Sequence, residues 1–435
     1  MFEQTTLSLI EFIKKSPTSF HAISSIKQML LESGFRQLSE NDPWALSPGD
    51  NGFVIRSDSS LIAFRIPEKN ADHFQIIASH SDSPSFKIKE NAEIMVDGHY
   101  TELNVEKYGG MLMAPWFDRP LSVAGRIVVR TEHGLESRLV DVGRDLLVIP
   151  NLAIHMNRQV NEGYAYHPQK DMTPLFGDET AGKAFLPLIA ETAGVKKEEI
   201  LGTDLFLYNR VPGTIWGASR EFFSSPRLDN LQSVYSSVRA FLDIPDPESI
   251  SVCCVFDTEE VGSTAKQGAD STFLQDTLTR ICMAVSGSAE RCPMMIAGSF
   301  MLSADNAHAV HPHHPDKADP TNRPYMNHGP VLKFNAYQKY TTDSVSGAVF
   351  KEICRRADVP CQIYINHSDI PGGSTLGNIS NRHVSLPTAD IGCAQLAMHS
   401  PYETAGIKDT WYMLQAMKMF YQTRIQVQGS QVLLQ

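Results

Sequence analysis

Apolar residues recur at helical spacing from residue 5 to residue 33 and break at Ser16-Pro17, which predicts a short helix and then a second from about Ser19 to Ser33, closed by Gly34. Short runs of strand character follow at Phe53 to Arg56, Leu61 to Ile66 and Phe74 to Ser79, the last ending directly at His80. From about Ser85 to Ser219 the pattern changes to alternating stretches such as Arg126 to Arg130, frequent turn residues and one helical segment near Lys183 to Ala193. After Pro226 helices and apolar strands alternate again. Helices are predicted at Asp229 to Leu242, Thr272 to Ala284, Ser344 to Ala357 and Lys408 to Arg424, with strands at 251 to 256, near 298 to 303 and near 330 to 334. The pattern predicts one α/β domain, residues 1–84 and 220–435, split by an inserted, mainly β domain over 85–219, with the last few residues frayed.

The strand at 251 to 256 runs into Asp257-Thr258-Glu259-Glu260-Val261-Gly262, so two adjacent carboxylates leave a buried strand at the edge where α/β sheets bind ligands. Desolvated side by side they repel, and a cation or a proton must offset that repulsion. Composition narrows the possible partners. With 42% hydrophobic and 20% charged residues the chain is ordinary for a soluble protein, and its 435 residues leave room for two domains. A net charge of −11 without any Lys/Arg-dense run argues against nucleic acid and against an anionic membrane, and leaves small or peptidic ligands. The acid-containing start lacks a basic segment followed by an apolar one, and no stretch reaches membrane-spanning length, so a cytoplasmic location is expected. Seven cysteines with no C-x-x-C pair suit reduced, mostly buried thiols rather than disulfides.

Four further positions at strand ends or helix starts carry metal-capable side chains. His80 follows a strand, with Asp82 two residues on, where its carboxylate can hold the imidazole N–H and fix the ring. Asp229, in Arg227-Leu228-Asp229-Asn230, stands at a helix N-cap; capping and ligation are equally open there. Asp305 follows an apolar strand, and His399 lies ahead of the last helix. Histidine and carboxylate donors without thiolate suit two Zn²⁺ or Mn²⁺ ions that share a carboxylate, an arrangement that polarises a carbonyl and activates water. Five ligands would leave one of the two glutamates as general base.

The blocks His80-Ser81-Asp82, Leu228-Asp229-Asn230, Asp257-Thr258-Glu259-Glu260-Val261-Gly262-Ser263, Ala304-Asp305-Asn306-Ala307-His308 and Met398-His399-Ser400 together resemble the aspartyl aminopeptidase family of di-metal exopeptidases. Tyr108-Gly109-Gly110, Trp116-Phe117-Asp118-Arg119, Gly329-Pro330 and Pro371-Gly372-Gly373 are similar too, so the resemblance spans nearly the whole chain. It implies a mixed-sheet, zinc-exopeptidase-like catalytic domain with an inserted dimerisation domain. Asp229 would bridge two divalent ions, with His80 and Asp305 on one and Glu260 and His399 on the other, leaving Glu259 as general base. The ions would be Zn²⁺, with Mn²⁺ or Co²⁺ accepted by the same donors. The resemblance also implies that Lys333 meets the acidic side chain of an N-terminal Asp or Glu in a pocket lined by His308 and Tyr340. It further implies that His155 reaches the active site of a neighbouring subunit in a tetrahedral dodecamer.

Two rivals stay open on the residues. One is a di-metal aminopeptidase or amide deacylase of different or broader specificity. The other is a non-catalytic oligomeric scaffold, which would be expected to lack a ligand or the base. The histidines at 308, 311, 313 and 314 do not suggest a separate metal site, because Pro312 and Pro315 break the spacing that would aim the rings at one point.

Overall fold

A computed structural model describes residues 1–69, 72–244 and 247–435. Its central sheet has nine strands in the order Arg36–Leu38, Asn51–Arg56, Ser60–Arg65, Ile250–Phe256, Phe74–His80, Phe300–Ala304, Thr388–Gly392, Val331–Phe334, Gln362–Ile365. The four consecutive strands from Ile250–Phe256 to Thr388–Gly392 are mutually parallel, and antiparallel pairings flank them on both sides. Alternation of side chains across these strands feeds two cores. Ile77, Cys253 and Val255 face one set of helices, which includes Leu228–Leu242 and Asp409–Gln422. Ile76, Ala78, Val252 and Cys254 face the other, which includes Phe273–Ser286. Burial on both faces explains why these strands read as continuous apolar runs.

A separate six-stranded antiparallel sheet comprises Gly134–Asp141, Leu121–Thr131, Ile200–Asn209, Ser85–Val96, Tyr100–Tyr108 and Leu175–Asp178. It carries its own core of Phe86, Leu103, Val123, Ile127 and Leu205, covered by Phe185 and Ile189 of the helix Phe185–Ala193. A five-stranded sheet joins Thr214–Trp216, Phe222–Ser225, Glu403–Gly406, Ala394–Leu396 and Ala307–His308. Its last three strands bring the segment after Asp305 beside the turn that holds His399.

Three expectations need correction. The C-terminal residues are not frayed: Ile425–Gln428 and Gln431–Leu434 form a hairpin that buries Ile425, and the Val427 N–H donates to the Gly298 carbonyl at 3.1 Å. Not every cysteine is a thiol. Cys282 and Cys292 form a disulfide, because the helix Arg291–Ala297 packs against Phe273–Ser286 and brings their Cα atoms to 5.5 Å. Asp229 is not the helix cap. The cap position is Arg227, and Asp229 has an extended ψ of 106° that turns it out of the helix. Among the described residues no helix is long and apolar enough to cross a membrane.

Candidate metal centre and active site

The C-terminal ends of the parallel strands deliver the site. Phe74–His80 ends at His80, Ile250–Phe256 runs into the turn Glu259–Val261, and Phe300–Ala304 is followed at once by Asp305. Asp229 reaches the same place from the start of its helix, and His399 from the turn after Ala394–Leu396, where its φ of 67° marks a backbone held in place by its surroundings.

The side chains converge in two groups that share Asp229, and a third, His80 with Glu259 and Glu260, overlaps both. His80 Nε2 lies 3.5 Å from Asp305 Oδ1 and 3.7 Å from Asp229 Oδ1. His399 Nε2 lies 3.5 Å from Asp229 Oδ2 and 3.4 Å from Glu260 Oε2. These separations exceed those of N–H···O hydrogen bonds. They match the spacing of donors around one tetrahedral ion, where ligand distances of about 2.0–2.1 Å put neighbouring donors about 3.4 Å apart. Asp229 belongs to both groups, one oxygen in each. Asp229 Oδ1 and Glu260 Oε1 are buried and have no hydrogen-bond partner in the protein, a costly state unless something cationic completes them.

Charge leads to the same conclusion. Burial pushes the Glu259 carboxyl up to about 8; His80 opposes the rise, while Asp305, Asp82 and Asp229 add to it. Burial and Asp229 hold Glu260 well above the ordinary range, and the same two causes raise Glu403 to about 8. Burial alone would lower His80, yet Asp305, Asp82 and Glu259 keep its pKa well above the usual value. His399 behaves alike, raised to about 9 by Asp229 and Glu403 against its burial. Asp305 is lowered despite its burial, chiefly because the Lys333 ammonium stands beside it. The cluster holds more negative charge than Lys333 and two imidazoles balance, and divalent cations are what such a donor set fits.

Asp82 lies behind the cluster. Its Oδ1 is 3.3 Å from His80 Nδ1 and accepts the Glu259 N–H at 3.2 Å, while its Oδ2 accepts the Glu260 N–H at 3.1 Å and the Tyr108 hydroxyl at 2.9 Å. The hydrogen bond of His80 Nδ1 goes to the backbone carbonyl of Asp82 at 3.2 Å, with the carboxylate alongside, and that carboxylate also fixes the glutamate turn. In front, a cavity of about 660 Å³ is lined by His80, Asp229, Glu259, Asp305, His308, Lys333, Tyr340 and His399, with Thr375 and Tyr364. Glu259 faces this cavity, whereas Glu260 does not line it. Lys333 is buried, donates to the carbonyls of Asp305 at 2.8 Å and Asn306 at 3.2 Å, and lies 5.2 Å from the centre of the Tyr340 ring. His155 is the one expected site residue not brought here: it sits on an exposed loop beside exposed Leu152, Ile154 and Met156, and does not line the cavity.

Two functional positions escaped the sequence reading. Glu403 is buried and accepts the backbone N–H groups of Asp229 at 3.0 Å and His399 at 2.8 Å, tying two site residues together. Tyr108 stood in a recognised motif without a role. The proximity of Glu403 to His399 in sequence, four residues on, was the only available signal for the first.

A mixed sheet that gathers imidazoles and carboxylates at its carboxyl edge is the build of a metal-dependent hydrolase. Comparison with known proteins makes the class specific: residues 12–421 match the family model described as aminopeptidase I zinc metalloprotease (M18), and the chain belongs to this family of metallo-aminopeptidases. A curated relative, the probable M18 family aminopeptidase 2 of Clostridium acetobutylicum, is 45% identical over 421 residues, covering 95% of this chain and 97% of the relative. Among solved structures, one of an Ape4 and Nbr1 complex is similar with a TM-score of 0.93 and 34% identity, covering 97% of this chain and 86% of that one. A dodecamer of mApe1 from S. cerevisiae has a TM-score of 0.84 at 26% identity, covering 97% of each chain.

Proposed function

We propose that this zinc aminopeptidase removes N-terminal Asp and Glu from peptides with two zinc ions per chain. His80 and Asp305 would hold one ion, Glu260 and His399 the other, and Asp229 both. The observation that carries the reading is the pair of three-donor groups sharing Asp229, each spaced for one tetrahedral ion. When bound, the ions supply Lewis acidity toward the scissile carbonyl and toward water.

The remaining work falls to the chain's own side chains. Glu259, in the cavity and held by the bond from its N–H to Asp82, takes a proton from the attacking water and returns it to the leaving amine. Lys333 directs one ammonium proton toward the carboxylate of the substrate's first residue, with His308 and Tyr340 walling the pocket. Asp82 keeps His80 oriented through its Nδ1, by its backbone carbonyl and the carboxylate beside it.

The division into a catalytic domain, residues 1–84 and 220–435, and an inserted domain, 85–219, is part of this proposal; the six-stranded sheet with its separate core supports it. So is assembly into a dodecamer in which His155 enters a neighbour's cavity, supported by the exposed apolar residues around it and by the dodecameric relative. The test is a panel of aminoacyl amides on zinc-loaded protein. Asp and Glu should be cleaved far faster than Leu and Lys; equal rates, or a preference for Leu, would sink the acidic reading and leave a broader di-metal aminopeptidase.

A further inference from the structure

The strand Tyr100–Tyr108 belongs to the six-stranded sheet, yet its end and the residues just beyond it touch three separate parts of the metal cluster. Tyr108 donates its hydroxyl to Asp82 Oδ2 at 2.9 Å. Gly109, at φ +79°, lies so close to the glutamate turn that a Cβ there would stand 3.0 Å from Glu260 Cβ and 3.2 Å from the Glu260 carbonyl oxygen. The Leu112 N–H donates to the carbonyl of His399 at 3.1 Å, and the ring of that histidine turns its Nε2 toward Asp229 and Glu260.

We propose that the segment Tyr108–Leu112 is a positioning strap by which the six-stranded sheet sets the metal affinity of the site. Tyr108 acts through Asp82, on which His80 and the N–H groups of Glu259 and Glu260 all converge. Gly109, at a positive φ that side chains rarely adopt, admits Glu260 at a distance where a Cβ would force its neighbours to shift by a few tenths of an ångström, and the Leu112 N–H ties the backbone of His399. The Tyr108 ring is itself braced edge-to-face on Phe206 of the same sheet, with centroids 5.4 Å apart, so its hydroxyl stays aimed at Asp82.

This inference rests on the ligand assignment proposed above, and the experiment separates the two. Zinc affinity of the full-length protein is measured by competition with a chromophoric chelator, alongside kcat and KM on an Asp amide. Tyr108→Phe keeps the ring packing and loses one hydrogen bond to Asp82; it should weaken zinc binding about 10- to 100-fold, with excess zinc restoring most of the activity. Gly109→Ala should weaken it too, through Glu260. Val123→Ala, buried in the same sheet and not among the residues lining the cavity of the metal cluster, should lower stability and leave zinc affinity unchanged. If both strap variants bind zinc as the wild type does, or if Val123→Ala weakens binding equally, the strap is wrong. His399→Ala checks the ligand assignment separately: if it binds as much zinc as the wild type, the assignment itself fails.

Discussion

Replacing Lys333 by methionine keeps an unbranched side chain, one atom shorter, and removes its charge and its three donors. Two of those donors already serve the protein, reaching the carbonyls of Asp305 and Asn306 beside a proposed ligand. Their loss strands two buried acceptors at about 1–3 kcal/mol each, so the variant should be less stable and slower on every substrate. The third donor is the one available to a substrate carboxylate, since Asp305 Oδ2 is 3.6 Å away. Truncating one partner of a desolvated charge pair costs about 2–5 kcal/mol. At about 1.4 kcal/mol per factor of ten, that is about 30-fold at the low end and several thousand-fold at the high end. The common damage cancels in a ratio, so the assay is kcat/KM for an Asp amide divided by kcat/KM for a Leu amide, in wild type and variant under saturating zinc. The ratio should fall by about 30-fold or more. A ratio unchanged by the substitution, even with both rates greatly reduced, would show that Lys333 supports the Asp305 turn and does not read the substrate.

Glu259→Gln should retain zinc at wild-type stoichiometry and lose about 10²- to 10⁴-fold in kcat, measured on an Asp amide; near wild-type turnover would remove it as the base. Gly392→Ala places a Cβ against the carbonyl of Asp305, with no room to accept it, and should strip zinc and lower the thermal midpoint; normal zinc content would show that the Asp305 turn can shift freely. His21 is held by burial at a pKa of about 4 against an ordinary 6.5. The unfolded chain therefore binds a proton that the folded chain refuses: the contribution of His21 is full above pH 6.5 and is lost as pH falls toward about 4. His21→Gln should lessen the fall in urea midpoint over that window, and an undiminished fall would assign the acid sensitivity to other groups.

The main strands and helices were legible because they are buried on two faces or carry a clear helical stripe, as Ile250–Phe256 and Leu228–Leu242 do. The strand Thr388–Gly392 was not. It holds Asp390, fully buried and satisfied by the hydroxyls of Thr341 and Thr375, which sit far away in sequence, so its polarity hid it. The hairpin at the C-terminus was missed for a similar reason, since its alternating Gln and Val residues gain their partner only once Gly298 is in place. At the site, the side chains expected from the sequence stood out by their shared places at strand ends, while their division into ligands and base came from the family resemblance. Tyr108, which works by contact across the fold under Asp82, carries no such local mark, and Glu403 under Asp229 has only its place four residues after His399. The disulfide belongs to the same class: ten residues separate Cys282 and Cys292, and only the packing of two helices pairs them.

The central claim is that two ions share Asp229. Zinc content per chain, measured by mass spectrometry of the elements after exhaustive dialysis against metal-free buffer, tests it in three proteins at once. Wild type should hold two ions per chain, His399→Ala one, and Asp229→Asn fewer than His399→Ala, because the shared carboxylate serves both groups. One ion in the wild type, or two in Asp229→Asn, would contradict the account.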